Sequence, residues 1–336
     1  MFIGAVGALL LLATPAVADE PTAGRRAADL FSGTSILLEH SGSIGHQGDL
    51  SPEASRSFSR TWVFTLGMAP SDEVSLAASI GLVHELTPTD TTFANEALVD
   101  DFAVGASVAL PAPGGEDSPL SWGVGFGVAL PTSKASRAAS LIVELAPSAY
   151  LGVEAPLLGG LGFSYAVTPT PRLHRYTTAS TLAPVPCSAA TGCTLGTTLD
   201  MGARNTAFQL VHDLGLSLTF ANDLLTLSTG LQLAYGKLYE LSASPKYDEA
   251  TLTNPGNNGG TPTTFSSSFT VDLGLALHEG VGLSIGVWTP GGLTEDGSGY
   301  YNPLGNRFTQ LYVDLTITPV DGVIAELDRA RKRAAR

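Results

Sequence analysis

The segment from Leu120 to Leu130 places Leu120, Trp122, Val124, Phe126, Val128 and Leu130 in one phase, and Ser121, Gly123, Gly125, Gly127 and Ala129 in the other. Side chains alternate faces along a strand, so this segment has one large apolar face and one that is almost bare. A strand in a soluble sheet would turn its apolar face into a core and carry charged or hydroxyl groups toward water on the other. Here the second face is too small to need a core and too uncharged for an ordinary wet surface. The pattern fits a strand with lipid on one side and a confined lumen on the other.

The alternation recurs along the chain. Trp62, Phe64, Leu66 and Met68 oppose Thr61, Val63, Thr65 and Gly67, and Val74, Leu76, Ala78, Ile80 and Leu82 oppose Ser75, Ala77, Ser79 and Gly81. The same holds for Phe102 to Leu110, Phe208 to Phe220, Phe269 to Ala276 and Leu311 to Ile317. About twelve such segments are present, an even number that suits a closed antiparallel up-and-down barrel with both ends on one side. Composition agrees. Only 14% of residues are charged, against about a quarter in soluble domains, and no apolar run approaches the length of about 20 residues that a helical span needs. A chain of this kind satisfies its backbone in lipid by closing its sheet, which leaves no edge. The expectation is an all-β transmembrane barrel of the bacterial outer membrane.

Organisation follows from the same reading. Phe2 to Ala13 are apolar, and Pro15 to Ala18 end in a small-x-small pattern, which predicts a signal peptide over residues 1–18 of a Gram-negative secreted chain. Residues 19–32 are read as a periplasmic segment, 33–319 as the barrel, and 320–336 as a basic periplasmic tail. Such a tail is ordinarily solvated, with folding into an acidic lumen as the sharper alternative. Loops are expected near 47–57, 87–97, 132–137, 169–204, 241–263 and 290–306, alternating with short turns near Pro70, Pro113, Pro156, Asn222 and Glu279. Long loops belong outside the cell and short turns in the periplasm. Phe102, Tyr165, Phe208, Tyr235 and Phe265 are expected toward the outer interface, with Trp122 and Phe220 toward the inner one. Cys187 and Cys193, spaced Cys-Ser-Ala-Ala-Thr-Gly-Cys, read as a short-loop disulfide in an oxidising compartment. A metal site is the weaker alternative, since no His or acid accompanies them at ligand spacing.

The inward phase carries Glu39, Asp101, Glu144, Gln209, Asp213, Gln232, Asp272, Gln310 and Asp314, and no Lys or Arg is read in that phase. These are the candidate lumen-lining residues. In a water-filled lumen they would favour cations and neutral polar solutes. In a dry one they must be protonated or hydrogen-bonded. Each also has a structural reading, as part of a network tying strands together. The net charge of −14 argues against nucleic acid as a partner. The partners expected are outer-membrane lipid and lipopolysaccharide, the barrel-insertion machinery and a small solute, with no cofactor or metal. A lipid-modifying enzyme would need a Ser with a nearby His. His40, His84, His212 and His278 have no such arrangement in sequence, and His84 and His212 fall in the outward phase.

Phe102 to Leu110, followed by Trp122 to Leu130 and a Pro-Thr-Ser turn at Pro131 to Ser133, resemble bacterial outer-membrane channels of the phenol-degradation transporter type. The resemblance implies passage of small, often aromatic or hydrophobic, molecules. It carries no residue-level site, and the last strand lacks the terminal aromatic usual in such barrels. A surface-recognition barrel acting through its long loops, including Asn254 to Gly260, is the second expectation, and a lipid-modifying enzyme a distant third.

Overall fold

The computed structural model describes residues 30–31, 33–43, 57–87, 94–115, 118–156, 160–179, 203–221, 224–239, 263–292, 300–306 and 308–320. The signal peptide, the tail beyond residue 320, the Asn254–Gly260 loop and the Cys187–Cys193 pair lie outside the described residues.

In chain order the elements are β1 (Ser35–Ser43), β2 (Phe58–Met68), β3 (Val74–Glu85), β4 (Glu96–Val99), β5 (Phe102–Leu110), β6 (Leu120–Leu130), α1 (Lys134–Ala138), β7 (Leu141–Ala155) and β8 (Leu161–His174). There follow β9 (Thr178–Ala179), β10 (Ala203–Arg204), β11 (Thr206–Phe220), β12 (Leu225–Leu238), β13 (Thr263–His278), β14 (Val281–Gly291) and β15 (Gln310–Ile317). Twelve of these strands form a closed antiparallel barrel, each paired with its neighbour in the chain and β15 paired back to β1. The short β4 extends β3 above β5, and β9 and β10 make a separate two-stranded pair.

Following the pairings once round the barrel from β1 returns to that strand about sixteen residues further along. For twelve strands about 4.8 Å apart, this stagger tilts them by about 40° and sets a backbone radius of about 12–13 Å.

Burial is inverted relative to a soluble protein. Among the described residues the buried apolar side chains are Ala146 and Ala234, whereas Ser35, Ser41, Ser133, Ser148, Thr168, Thr170, Asn205, Thr289 and Thr309 are buried. The large apolar side chains point out instead, with Leu66 and Phe126 each 49% exposed and Ile285 48%. A belt of this size around a sheet without edges is stable only against hydrocarbon. The protein is an outer-membrane barrel.

One end carries the short connections, the tightest being Glu279–Gly280 between β13 and β14, where Gly280 adopts φ 79°. The long connections all leave from the other end. β1 begins and β15 finishes at the short-turn end. Three expectations need correction. The loop expected over 169–204 starts only after His174, because β8 runs through Pro169 and Pro171. The segment 132–137 is not plain loop but holds α1, capped by Ser133, whose hydroxyl accepts from the Ser136 N–H at 3.0 Å. Tyr165, expected at the outer interface, lies in the first third of β8, nearer the short-turn end.

The β7–β8 ladder shows how prolines sit in a barrel wall. Pairing is continuous from Ala155↔Leu161 to Ala149↔Val167, stops, and resumes at Glu144↔Arg172. Pro147, Pro169 and Pro171 fall in the gap, and a proline has no N–H to donate. The outer sides of both strands stay paired, Phe126↔Pro147 to β6 and Leu210↔Pro169 to β11.

Candidate functional site

The inner face of the barrel begins with residues that have almost no side chain. Ala103, Gly105, Ser107 and Ala109 of β5 pair with Ala129, Gly127, Gly125 and Gly123 of β6. The neighbouring inward groups lie along this bare wall instead of across the lumen. The Ser148 hydroxyl sits 2.6 Å from where a Cβ on Gly125 would be, and the Tyr150 ring occupies the corresponding space at Gly123. On the far wall Tyr312 lies over Gly286 and bonds its hydroxyl to the Asp272 carboxylate. Glycine is required at both positions: a Cβ at 123 would meet the Val108 carbonyl oxygen as well as the Tyr150 ring, and one at 286 the Asp272 Cβ as well as the Tyr312 ring.

The alternation puts the candidate polar residues on this inner face in separate groups. Glu39 and Asp314 are direct cross-strand partners, and Asp314 also accepts from the Ser284 hydroxyl at 3.5 Å. Asp272 is one strand beyond, partnered by Gly286, so Glu39, Asp272 and Asp314 form one acidic wall spanning β13 to β1. Gln310 lies toward the loop end of that wall and donates to the Ser57 hydroxyl at 3.3 Å. On the adjoining strands β12 and β11 the Gln232 amide donates to Asp213 at 2.8 Å, and Gln209 sits between Thr170 and Gly236.

Two of the expected residues are engaged at the loop end. The Asp101 carboxylate accepts from the Ser133 N–H at 2.8 Å and from the Ser136 hydroxyl, so it holds the start of α1. Lys134 of α1 donates to Glu96 of β4 at 2.8 Å. Next to Asp101, in the same loop, the Asp100 N–H donates to the Gly81 carbonyl at 2.9 Å. Burial, and then the neighbouring Asp101 carboxylate, pushes the Asp100 carboxyl above its usual range. Glu144 faces Arg172 of β8 and accepts from its guanidinium at 2.5 Å.

Arg172 corrects the expectation that no cation shares the inward phase. It was hidden because β8 continues past the prolines at which the strand was expected to end. Trp288, the partner of Thr270 and Gln310, was also overlooked on the inner face. Its phase relative to Ser284 and Gly286 would have revealed it. The histidines bond elsewhere: among the described residues His212 pairs with the Tyr165 hydroxyl at 2.8 Å, His174 with the Ala139 carbonyl at 2.8 Å and His278 with the Glu279 carbonyl at 3.0 Å. His212 extends an outward-facing chain of rings through Tyr235, Phe265 and Tyr300.

No family model matches the chain, and no curated protein is detectably similar to it. Its structural neighbours include outer-membrane channels, the β domain of a Bordetella autotransporter and LpxR from Salmonella typhimurium. It is similar to an outer membrane channel from Pseudomonas putida F1 at 11% identity and a TM-score of 0.49, over 88% of this chain and 99% of that one. It is also similar to the KdgM porin (11% identity, 84% and 98% covered, TM-score 0.41) and the NanC porin (9% identity, 84% and 98% covered, TM-score 0.44). These similarities are too distant to bear on what this barrel carries, which has to be argued from its own wall.

Proposed function

We propose that the protein is a passive outer-membrane channel for small solutes. The observation that carries this reading is the inner wall: a barrel about 12–13 Å in backbone radius whose β5–β6 stretch is lined by glycine, alanine and one serine, with Tyr150 and Tyr312 lying against Gly123 and Gly286 along the wall. A barrel built only for rigidity would fill that space with side chains that meet across the centre. Small neutral solutes suit the wall best, including aromatic ones, which have Tyr150, Trp288 and Tyr312 to stack against. That preference accords with the resemblance to phenol-degradation transporters.

The lumen favours cations modestly. Arg172 offsets Glu144 near the loop end, whereas the partners of Glu39, Asp272 and Asp314 among the described residues are hydroxyls and not cations. Transport rather than catalysis fits the histidine contacts, which go to a phenol and to backbone carbonyls.

The test is single-channel recording of the refolded mature protein in planar bilayers under a salt gradient. Discrete openings with a reversal potential of cation-selective sign are expected. A folded barrel that inserts but conducts nothing would overturn the channel reading.

A further inference from the structure

The outer surface of the barrel holds a feature that transport does not use. His40, Arg60 and His84 lie side by side on β1, β2 and β3 as direct cross-strand partners, His40↔Arg60 and Arg60↔His84. They share the outward phase with Trp62, Phe64 and Leu82, whose large side chains are turned to lipid, Phe64 being 40% exposed. All three are near the long-loop ends of their strands: Arg60 follows Phe58 by two residues and His84 immediately precedes Glu85, the last residue of β3.

Direct cross-strand partners are about 5 Å apart, so two imidazoles flank one guanidinium on a surface with little water to screen them. The carboxylates of these strands do not help, since Glu39 and Glu85 alternate to the inner face, where Glu39 meets Thr61 and Glu85 meets Ser59. The guanidinium rests over the Trp62 ring, 5.7 Å from its centroid, and Arg60 Nε is buried without a hydrogen-bond partner among the described residues. A guanidinium whose strand neighbours are two imidazoles and apolar rings is costly at a lipid-facing position unless its charge is met by an anion from the membrane.

The asymmetry extends round the barrel. In the half nearer the long loops, the described outward strand positions carry His40, Arg60, His84, His212 and Lys237 and no carboxylate, although the chain as a whole has net charge −14. With the long loops outside the cell, this surface meets the outer leaflet, whose glycolipid carries its phosphates at interface depth.

We propose that His40, Arg60 and His84 form a docking site for a phosphate group of outer-leaflet lipopolysaccharide. Arg60 supplies the planar fork that phosphate oxygens accept from, the two imidazoles close the sides, and Trp62 holds the guanidinium in place while meeting the acyl chains below. The site is reached from the lipid and is independent of the lumen.

The test measures retention of purified lipopolysaccharide by the refolded full-length protein in detergent, by native mass spectrometry. The comparison probes are the same glycolipid stripped of its phosphates by phosphatase, and inorganic phosphate as a competitor. The wild-type protein is expected to bind the phosphorylated form about tenfold more tightly than the stripped form. Arg60→Gln removes most of that difference, Lys237→Gln leaves it within twofold, and millimolar phosphate does not compete. Equal binding of the two glycolipids, unchanged binding by Arg60→Gln, an equal loss in Lys237→Gln, or displacement by free phosphate would each overturn the proposal. If Arg60→Gln fails to fold, as read by heat-modifiable gel mobility, the pair His40→Gln and His84→Gln is tested with the same thresholds. Channel conductance of folded Arg60→Gln should equal wild type, which separates failure here from failure of the transport reading.

Discussion

The Glu144–Arg172 pair gives the sharpest test that the inner face is an ion path. Its backbone lies about 12–13 Å from the barrel axis and its side chains reach about 5 Å inward, which leaves each charge about 7 Å from a centrally placed ion. In a water-filled lumen one unit charge at that distance contributes about 0.6 kcal/mol, and screening at 0.1 M salt reduces this to about 0.3 kcal/mol. Such a change alters the local concentration of each ion by a factor of about 1.7, in opposite directions for cation and anion, so the selectivity ratio shifts about threefold. Arg172→Gln leaves Glu144 unopposed and should make the channel about threefold more cation-selective. Glu144→Gln should shift it by a similar factor toward anions, and the double variant should return close to wild type. The measurement is the reversal potential in a potassium chloride gradient, with folded barrel content matched by heat-modifiable mobility. Single variants that shift the ratio in the same direction, or by less than the scatter between channels, would refute the placement of this pair on the conduction path.

The wall makes further demands. Leu273→Arg, at an outward position 41% exposed, should cost about 2–4 kcal/mol of folding stability in lipid, whereas Ser228→Arg, facing inward beside Asp272, should cost less than about 1 kcal/mol; urea-dependent refolding into vesicles measures both. Gly123→Leu sets a Cβ against the Val108 carbonyl oxygen as well as against the Tyr150 ring and should lower the yield of folded barrel read by heat-modifiable mobility, while Gly105→Ala, whose new methyl would lie 3.5 Å from the Phe126 carbonyl oxygen, should leave it unchanged. Asp100→Asn should stabilise the barrel at pH 7–8 by up to about 1 kcal/mol. The native state favours the neutral form of this raised group, so its ionisation costs stability above the unfolded carboxyl value near 4. The advantage of the Asn variant should fade as the pH falls through that value, and a constant or inverted difference across pH 3–8 would refute the assigned cause.

The barrel was legible because one requirement acts at every outward position: lipid demands a large apolar group at each second residue, and the backbone supplies the period. Phe126, Leu66 and Leu76 could therefore be assigned to the outside one strand at a time. The inner face obeys no such rule, since a lumen tolerates anything small or polar, and its pairings depend on register. Glu144 meets Arg172 across 28 residues and Asp213 meets Gln232 across 19. Both distances are set by where strands end, and strand ends are where sequence patterns are weakest. The two consequential omissions arose there. β8 was expected to stop at its prolines, although Pro169 and Pro171 need only a stretch of wall where β7 forgoes pairing, and this concealed Arg172. β2 was read from Thr61, three residues after its start, which left Arg60 unassigned between the 47–57 loop and the strand, and His40 and His84 with no visible connection. With β2 begun at Phe58, a single register turns two scattered histidines and an arginine into one continuous row. The cationic groups of this acidic barrel then divide by surface: Arg172 faces inward and is matched by a carboxylate of the chain, while Arg60 faces outward and requires its counter-ion from the membrane.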